Sequence, residues 1–108
     1  MNIKKTIDSL GGYTLYFSGR LDNTTSEIMR DAIKGIPDEA VRLTLDFRDV
    51  LYISSAGLRE LLICSHRFDG DRMIIINVSK NVMEIFEITG FDTLFPIKKN
   101  GYRCIDLY

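Results

Sequence analysis

Strand-like and helix-like hydrophobic patterns alternate along this chain, and that alternation restricts its fold more than any other feature. Apolar residues recur at every second position over 13–17 and 41–47, which is the spacing of half-buried strands. Over 28–36, 58–68 and 82–86 they recur at the three- and four-residue spacing of amphipathic helices. Helices between strands act as crossover connections, which make the strands that they join parallel. We therefore expect an α/β fold with a mixed, largely parallel sheet.

The predicted order of elements is β-β-α-β-α-β-α-β, with about four to five strands in a mixed β-sheet flanked by helices. Residues 3–7 are expected to form a hairpin with 13–17 across the Gly11-Gly12 turn. The unbroken apolar run 73–76 suits a central strand that is covered on both faces. Residues 94–97 are predicted to be the last strand before the C-terminal extension, for which a hairpin strand and a short helix both remain open.

Polar residues and glycines mark the expected ends of the helices. Thr24 and Glu27 stand at capping-box spacing before the first helix. The second helix is expected to begin close to Ala56. Ser79 is the predicted cap of the third helix, which should stop at Gly90.

The composition narrows the class of function. The chain has 108 residues without a linker or an internal repeat, so we interpret 1–108 as a single domain. Lys and Arg together number 14 and Asp and Glu 15, and this balance does not favour binding to nucleic acid or to anionic lipid. Two cysteines, Cys64 and Cys104, are too few for a zinc site or a secreted disulfide scaffold. With neither a signal peptide nor an apolar run long enough for membrane insertion, we expect a cytoplasmic protein.

Two adjacent serines, Ser54 and Ser55, stand where a loop is predicted to meet the second helix. The free amides and the dipole at a helix N-terminus favour negative charge, so a phosphate on either hydroxyl would be stabilised there by roughly 0.3 to 1 kcal/mol. A plain helix cap is the alternative interpretation of the same residues. A capping serine can still accept a phosphate.

A catalytic role for these serines is not supported by the sequence. His66, the only histidine, lies eleven positions after Ser55, which is about 16 Å along one helix and too far for a nucleophile and its base. The sequence contains neither a nucleophile elbow nor a phosphate-binding glycine loop. Asp46 and Asp49 are interpreted as strand-end and turn residues rather than metal ligands. We predict that the protein is not an enzyme and that it holds no metal or cofactor. A small hydrolase or nucleotide-using enzyme is the least favoured alternative.

Four segments together resemble the STAS domain family, and specifically its small single-domain members, the bacterial anti-sigma factor antagonists. The similarity runs nearly from end to end. The supporting segments are Gly19-Arg20-Leu21-Asp22, Leu43-Thr44-Leu45-Asp46-Phe47 and Gly90-Phe91-Asp92-Thr93-Leu94-Phe95-Pro96-Ile97. The most specific segment is the serine signature Tyr52-Ile53-Ser54-Ser55-Ala56-Gly57-Leu58-Arg59.

The resemblance implies a switch rather than a catalyst. In such proteins the unphosphorylated form binds an anti-sigma factor that is also a serine kinase of the histidine-kinase-like ATPase type, and transcription can then start. Phosphorylation by that kinase, which holds ATP and magnesium itself, ends the complex, and a serine phosphatase resets it. By position the resemblance implies that Ser55 is the phosphoacceptor. Ser54, which stands where many members have an aspartate, is the less favoured site.

The resemblance also implies a partner-binding surface around the serine signature. Its expected members are Arg20, Asp22, Ser54, Ser55, Ala56, Gly57 and Arg59. Arg20 and Asp22 are expected in a loop after the second strand. An alternative client is a lipid-transport ATPase complex or a signalling scaffold, in which the domain would be an adaptor subunit. The family usually places a final helix after the last strand. If the C-terminal extension forms no such helix, a hairpin strand or a second subunit in a weak dimer is expected to cover Ile105, Leu107 and Tyr108.

Overall fold

The computed structural model describes residues 1–69 and 72–99. Within these residues there are five strands: β1 (Asn2–Ile7), β2 (Gly12–Leu21), β3 (Arg42–Ile53), β4 (Met73–Val78) and β5 (Ile97–Lys99). The helices are α1 (Ser26–Lys34), α2 (Ser55–Arg67) and α3 (Lys80–Thr89), followed by one 3-10 turn at Phe91–Thr93. The strands form one sheet in the order β1-β2-β3-β4-β5. The predicted order of elements is confirmed.

The sheet is mixed, as the alternation of patterns predicts. β1 and β2 are antiparallel, and the three other neighbouring pairs are parallel. In the hairpin turn, Oδ1 of Asp8 accepts hydrogen bonds from the amides of Leu10 (2.8 Å) and Gly12 (2.9 Å). Gly11 has a φ of +87°, which glycine adopts at little cost. Each parallel pair is joined by a helix, so the carboxyl ends of β2, β3 and β4 lie at the same edge of the sheet.

The hydrophobic core lies between the sheet and its helices. Leu15, Leu45 and Phe47 are at most 1% exposed, and the ring of Phe47 packs against that of Phe86 with 6.4 Å between centroids. Full burial of such a side chain contributes about 1.5 to 3 kcal/mol. The apolar faces predicted for the helices are mostly buried. Ile28 is an exception at 45% exposed, because the buried face of α1 includes Met29 and Ile33 instead.

The last described strand begins later than predicted. Gly90 ends α3, as predicted. Its φ of +81° is the left-handed conformation in which α-helices commonly end. The 3-10 turn that follows returns Phe91 to the core, where its ring stacks on Phe86 at 6.5 Å. Leu94 is therefore outside any strand and 52% exposed. The predictions for the C-terminal extension, including Cys104 and the apolar residues of 105–108, lie outside the described residues.

β3 is the element that differs most from the sequence-based expectation. The pattern predicts a strand that ends at Phe47 and is followed by a loop, whereas β3 continues to Ile53. The interpretation of Asp46 and Asp49 as strand-end and turn residues is therefore wrong. The strand continues because β2 pairs beside it over its whole length, up to the pair Leu21 and Ile53.

The pairing of β2 with β3 shifts at two β-bulges. Tyr16 lies opposite Asp46, and Ser18 lies opposite Asp49, so β3 contains one extra residue between these pairs. A second shift, between Gly19 and Arg20, adds a second extra residue to β3. Two extra residues restore the original alternation, because side chains point to opposite faces at successive positions. Leu21 and Ile53 are consequently both buried at the end of the sheet.

Candidate functional site

The candidate site is the connection from β3 to α2, residues 53–57, which we call the serine junction. Ser54 takes an extended backbone conformation at the N-cap of α2, and Ser55 is the first residue of the helix. The amide of Ser54 donates to the carbonyl of Leu21 (2.8 Å), and its carbonyl accepts from the amide of Leu58 (2.9 Å). The predicted position of both serines at a helix N-terminus is confirmed, and the junction is tied to the end of β2.

The two serines have different environments. The hydroxyl of Ser54 is buried, and within the part of the chain that the structure describes it has no hydrogen-bond partner. It makes no capping bond to the first turn of α2. Ser55, in contrast, is exposed. A negatively charged group on Ser55 would therefore stand in solvent next to the free amides of the first helical turn.

Gly57 allows the first turn of α2 to approach the strands closely. It is buried, and a Cβ at this position would lie 2.9 Å from Cγ1 of Ile53 and 3.1 Å from Cβ of Leu21. Contacts that short would force the helix away from the sheet. Gly57 was expected on the partner-binding surface; the structure places it in the packed base of the junction.

Arg20 lies beside the serine junction, in β2 rather than in the expected loop. It pairs with Tyr52 across the parallel strands, and its guanidinium carbon lies 4.4 Å from the centroid of the tyrosine ring. A cation–π contact at an exposed site contributes about 0.5 to 1 kcal/mol. The contact holds a positive charge at the carboxyl ends of β2 and β3. Arg59, one turn into α2, is also exposed.

Asp22 follows β2 directly and organises the start of α1. Its Oδ1 accepts from the amide (3.0 Å) and hydroxyl (2.7 Å) of Thr24 and from the amide of Thr25 (3.2 Å). The hydroxyl of Thr24 is the main reason why the pKa of Asp22 lies below its ordinary value. The predicted capping box of Thr24 and Glu27 is wrong, because the Thr24 side chain is bound to Asp22. The N-cap of α1 is Thr25, whose hydroxyl donates to the carbonyl of Arg20 (2.6 Å).

Sequence reasoning missed two apolar neighbours of the junction. Leu51 is 69% exposed and Tyr52 is 37% exposed, although both lie in β3. Leu51 is the extra residue at the second bulge, opposite no residue of β2. A bulge depends on pairing with a distant strand, so the local pattern carries no signal for it. Leu51, Tyr52 and Arg59 are exposed, and the exposed Arg20 packs on the ring of Tyr52. Arginine and tyrosine are enriched in protein interfaces.

The other end of α2 holds the histidine that was considered as a base for the serines. His66 is exposed in the last turn of α2. Among the described residues, no group of three or more His, Cys, Asp or Glu side chains could hold a metal ion. In the same residues, no helix has the length and apolar character needed to cross a membrane.

A cleft of about 420 Å³ lies between α1 and α2. Arg30 and Glu60 form an ion pair across it (3.2 Å), and Arg67 and Asp38 form another. Cys64 is buried at the cleft, and burial raises the pKa of its thiol to about 12. The thiol is therefore protonated at neutral pH and is a poor nucleophile.

Comparisons with known proteins agree with this architecture. A curated relative from Bordetella bronchiseptica, named "Putative anti-sigma factor antagonist BtrV", is 29% identical over 100 residues, which are 88% of this chain and 85% of the relative. An anti-sigma factor antagonist from Mycobacterium paratuberculosis has a TM-score of 0.80 at 21% identity, over 97% of this chain and 90% of that structure. The phosphorylated form of SpoIIAA, a Bacillus cell fate determinant, has a TM-score of 0.69 at 17% identity, over 98% of both chains.

The two solved structures share the fold of this protein: a mixed sheet whose strands alternate with helices. The family model of the STAS domain matches residues 3–101, which is nearly the whole chain. That match includes both strands that end at the serine junction and all of α2. The chain therefore belongs to the STAS domain family.

Proposed function

We propose that this protein is an anti-sigma factor antagonist that binds its partner through the surface around the serine junction and is released when Ser55 is phosphorylated. The observation that carries the proposal is the pair of serine environments: Ser55 is exposed at the first position of α2, and the hydroxyl of Ser54 is buried. The family and the names of the Bordetella and Mycobacterium relatives support the kind of partner.

Exposure selects the serine that is modified. A kinase must reach the hydroxyl oxygen with the terminal phosphate of its nucleotide, and the Ser54 oxygen is covered. Ser55 precedes the buried Gly57 by half a turn and faces solvent. Ser55 is therefore the proposed phosphoacceptor, in agreement with the position implied by the serine signature.

The charge of the phosphate explains how binding and modification exclude each other. A phosphoserine carries about −1.5 to −2 charges at neutral pH. In the free domain this charge is solvated and lies at the positive end of the α2 dipole, so the fold tolerates it. In a complex the same group would have to lose its water, and an unpaired buried charge costs several kcal/mol. The complex dissociates while the domain stays folded.

The partners follow from the resemblance and from the surface. The anti-sigma factor is proposed to be a serine kinase of the histidine-kinase-like ATPase type, which supplies the nucleotide and magnesium, and a serine phosphatase restores free Ser55. Arg20 and Arg59 place two exposed cations near that serine, which suits an acidic patch on the partner. The cytoplasm is the proposed compartment.

The test is affinity purification from the native host with tagged wild type, Ser55→Asp and Ser55→Ala, followed by affinity measurement with the recovered partner. Ser55→Asp should weaken binding by at least about 30-fold, which corresponds to about 2 kcal/mol of desolvation and repulsion. Ser55→Ala should bind like wild type and carry no phosphate on 54–55.

Ser79→Asp is the matched control, because it adds the same charge at the N-cap of the neighbouring helix. It should leave binding within about threefold of wild type. Undiminished binding by Ser55→Asp would contradict the proposal. Recovery of the same transporter ATPase or scaffold with all variants would instead identify a constitutive adaptor.

A further inference from the structure

A buried carboxylate in β3 joins two irregular points of the sheet. Asp46 is 8% exposed, and its Oδ1 accepts from the amide of Arg48 (2.9 Å). Its Oδ2 accepts from Nδ2 of Asn77 (3.2 Å), a residue that is 2% exposed. Asn77 has a φ of +59°, in the left-handed region that asparagine tolerates better than most residues.

The Asp46–Asn77 contact lies where β3 departs from β4. Pairing between these strands runs from Leu43 to Asp46, and β3 then continues beside β2 towards the serine junction. The first bulge of β3 begins directly after Asp46, and the bond to the Arg48 amide spans it. Asn77 lies within the register shift between β4 and β5.

The register set at this bulge determines the geometry of the serine junction. With the two extra residues in β3, Leu21 lies opposite Ile53 and its carbonyl accepts from the Ser54 amide. A change of one residue would turn Ile53 to the other face of the sheet. The close packing of Gly57 on Leu21 would then be lost as well.

The Asp46–Asn77 contact lowers the stability of the fold relative to an apolar pair. This cost points to a role other than stabilisation. The Oδ1 of Asn77 is buried and lacks a hydrogen-bond partner in the described ranges 1–69 and 72–99. Buried polar groups without full pairing destabilise a fold relative to apolar residues of similar volume. A positive φ at a residue other than glycine adds to that cost.

We propose that Asp46, held by Asn77, is a positioning residue for Ser55. It keeps the first bulge of β3 in place, and through the register of β2 and β3 it sets Ser55 beside Arg20 and Asp22. The inference deepens the proposed function and rests on it for the meaning of that position.

The test measures the rates of amide hydrogen exchange in the free protein by NMR. Asp46→Ala removes both acceptors, and Asn77→Gly removes the Nδ2 donor but retains a residue that accepts positive φ. In both variants the Ser54 amide should exchange about tenfold faster relative to the Leu43 amide, which lies before the bulge and donates to the carbonyl of Arg72 (2.6 Å). Asp46→Asn keeps an oxygen for the Arg48 amide and should restore most of the protection.

Ile36→Val is the control for a general loss of stability, because Ile36 is a core residue that lies in neither strand. It should accelerate both amides equally. If Asp46→Ala and Asn77→Gly also accelerate exchange of the Ser54 and Leu43 amides equally, the proposal is overturned. If Asp46→Ala does not fold, Asn77→Gly alone decides between the two outcomes.

The same variants separate this proposal from the proposed function. Exchange is measured without a partner, so its pattern is independent of what the protein binds. With the pattern as expected, Asn77→Gly should also weaken partner binding, whereas Ile36→Val should not. Failure of wild type to bind any anti-sigma factor, with the exchange pattern intact, would reject only the proposed function.

Discussion

Two helices of this protein begin at a serine with extended backbone, and the two serines are used differently. Ser79 at the start of α3 accepts a hydrogen bond from the amide of Val82 through its side chain. Ser54 at the start of α2 has the same kind of backbone conformation and makes no such bond in the described structure. Its position is held instead by its own amide, which donates to Leu21.

The difference teaches that a cap position and a cap interaction are separate properties. At α3 the serine side chain stabilises the helix. At α2 the bond from Ser54 to the end of β2 and the close packing of Gly57 hold the helix, and Ser55 is exposed. Under the proposed function, a phosphate on Ser55 is therefore expected to leave the domain folded. The following predictions test this contrast between the two helix starts.

The largest effect is expected for Gly57→Ala. The third residue of α3, Val82, is a buried side chain, whereas a Cβ at the equivalent position of α2 would lie 2.9 Å from Ile53. The substitution should lower the free energy of unfolding in urea by about 1 to 3 kcal/mol. Gly35→Ala is the control, since its nearest contact is an ordinary 3.5 Å and its stability should change by less than about 0.5 kcal/mol. An unchanged Gly57→Ala protein would show that the junction has room to adjust.

Ser79→Ala should have a smaller but measurable effect. The lost cap bond is long, at 3.4 Å, so we expect the lower part of the range for N-caps, about 0.5 to 1 kcal/mol, from urea unfolding. Ser79→Asp, which keeps an acceptor at the cap, should retain wild-type stability. Equal losses in both variants would mean that the Ser79 side chain does not act as the cap.

Ser54→Ala should leave stability almost unchanged. The substitution removes a buried hydroxyl that has no partner in the described part of the chain, so the free energy of unfolding should stay within about 0.5 kcal/mol of wild type or rise. A loss as large as that of Ser79→Ala would contradict the contrast between the two serines. Phosphorylation of the variant on Ser55 should continue at the wild-type rate.

The start of α1 adds a third case, in which a carboxylate organises the turn. Hydrogen bonds from Thr24 and Thr25 lower the pKa of Asp22 below 3.8. Above pH 3.8 the charged form is present in both the folded and unfolded states, so its stabilisation is complete. As the pH falls below that value the unfolded chain binds the proton first, and stability is lost.

The pH effect should be the smallest of the four, because the hydrogen bonds that Asp22 accepts from Thr24 are exposed to solvent. Thermal unfolding followed from pH 5 down to about pH 2 should show a shallower decline for Asp22→Asn than for wild type. Asp8→Asn is the parallel case, since two backbone amides lower the pKa of Asp8 in the β1–β2 turn. An identical decline for wild type and Asp22→Asn would show that this carboxylate is equally stabilised in the unfolded chain.

Local patterns in the sequence were sufficient for the order of elements, for the Ser79 cap and for the stop at Gly90. Each of these depends on side chains that lie within a few positions of one another, because hydrophobic periodicity and helix capping are local properties of the chain. The serine signature likewise located the candidate site at a helix N-terminus. The capping box at Thr24 failed because a nearer carboxylate, Asp22, competes for the same hydroxyl.

What the sequence by itself determined is therefore the kind of protein and the place of its candidate site: an α/β domain with two serines where the third strand meets the second helix. Only the tertiary structure decided which serine is exposed, how far β3 extends and why Gly57 is needed. These properties arise from the pairing of β3 with β2 and β4, which lie about thirty residues away on either side. A bulge moves every later side chain relative to a distant strand, and no local pattern records that displacement.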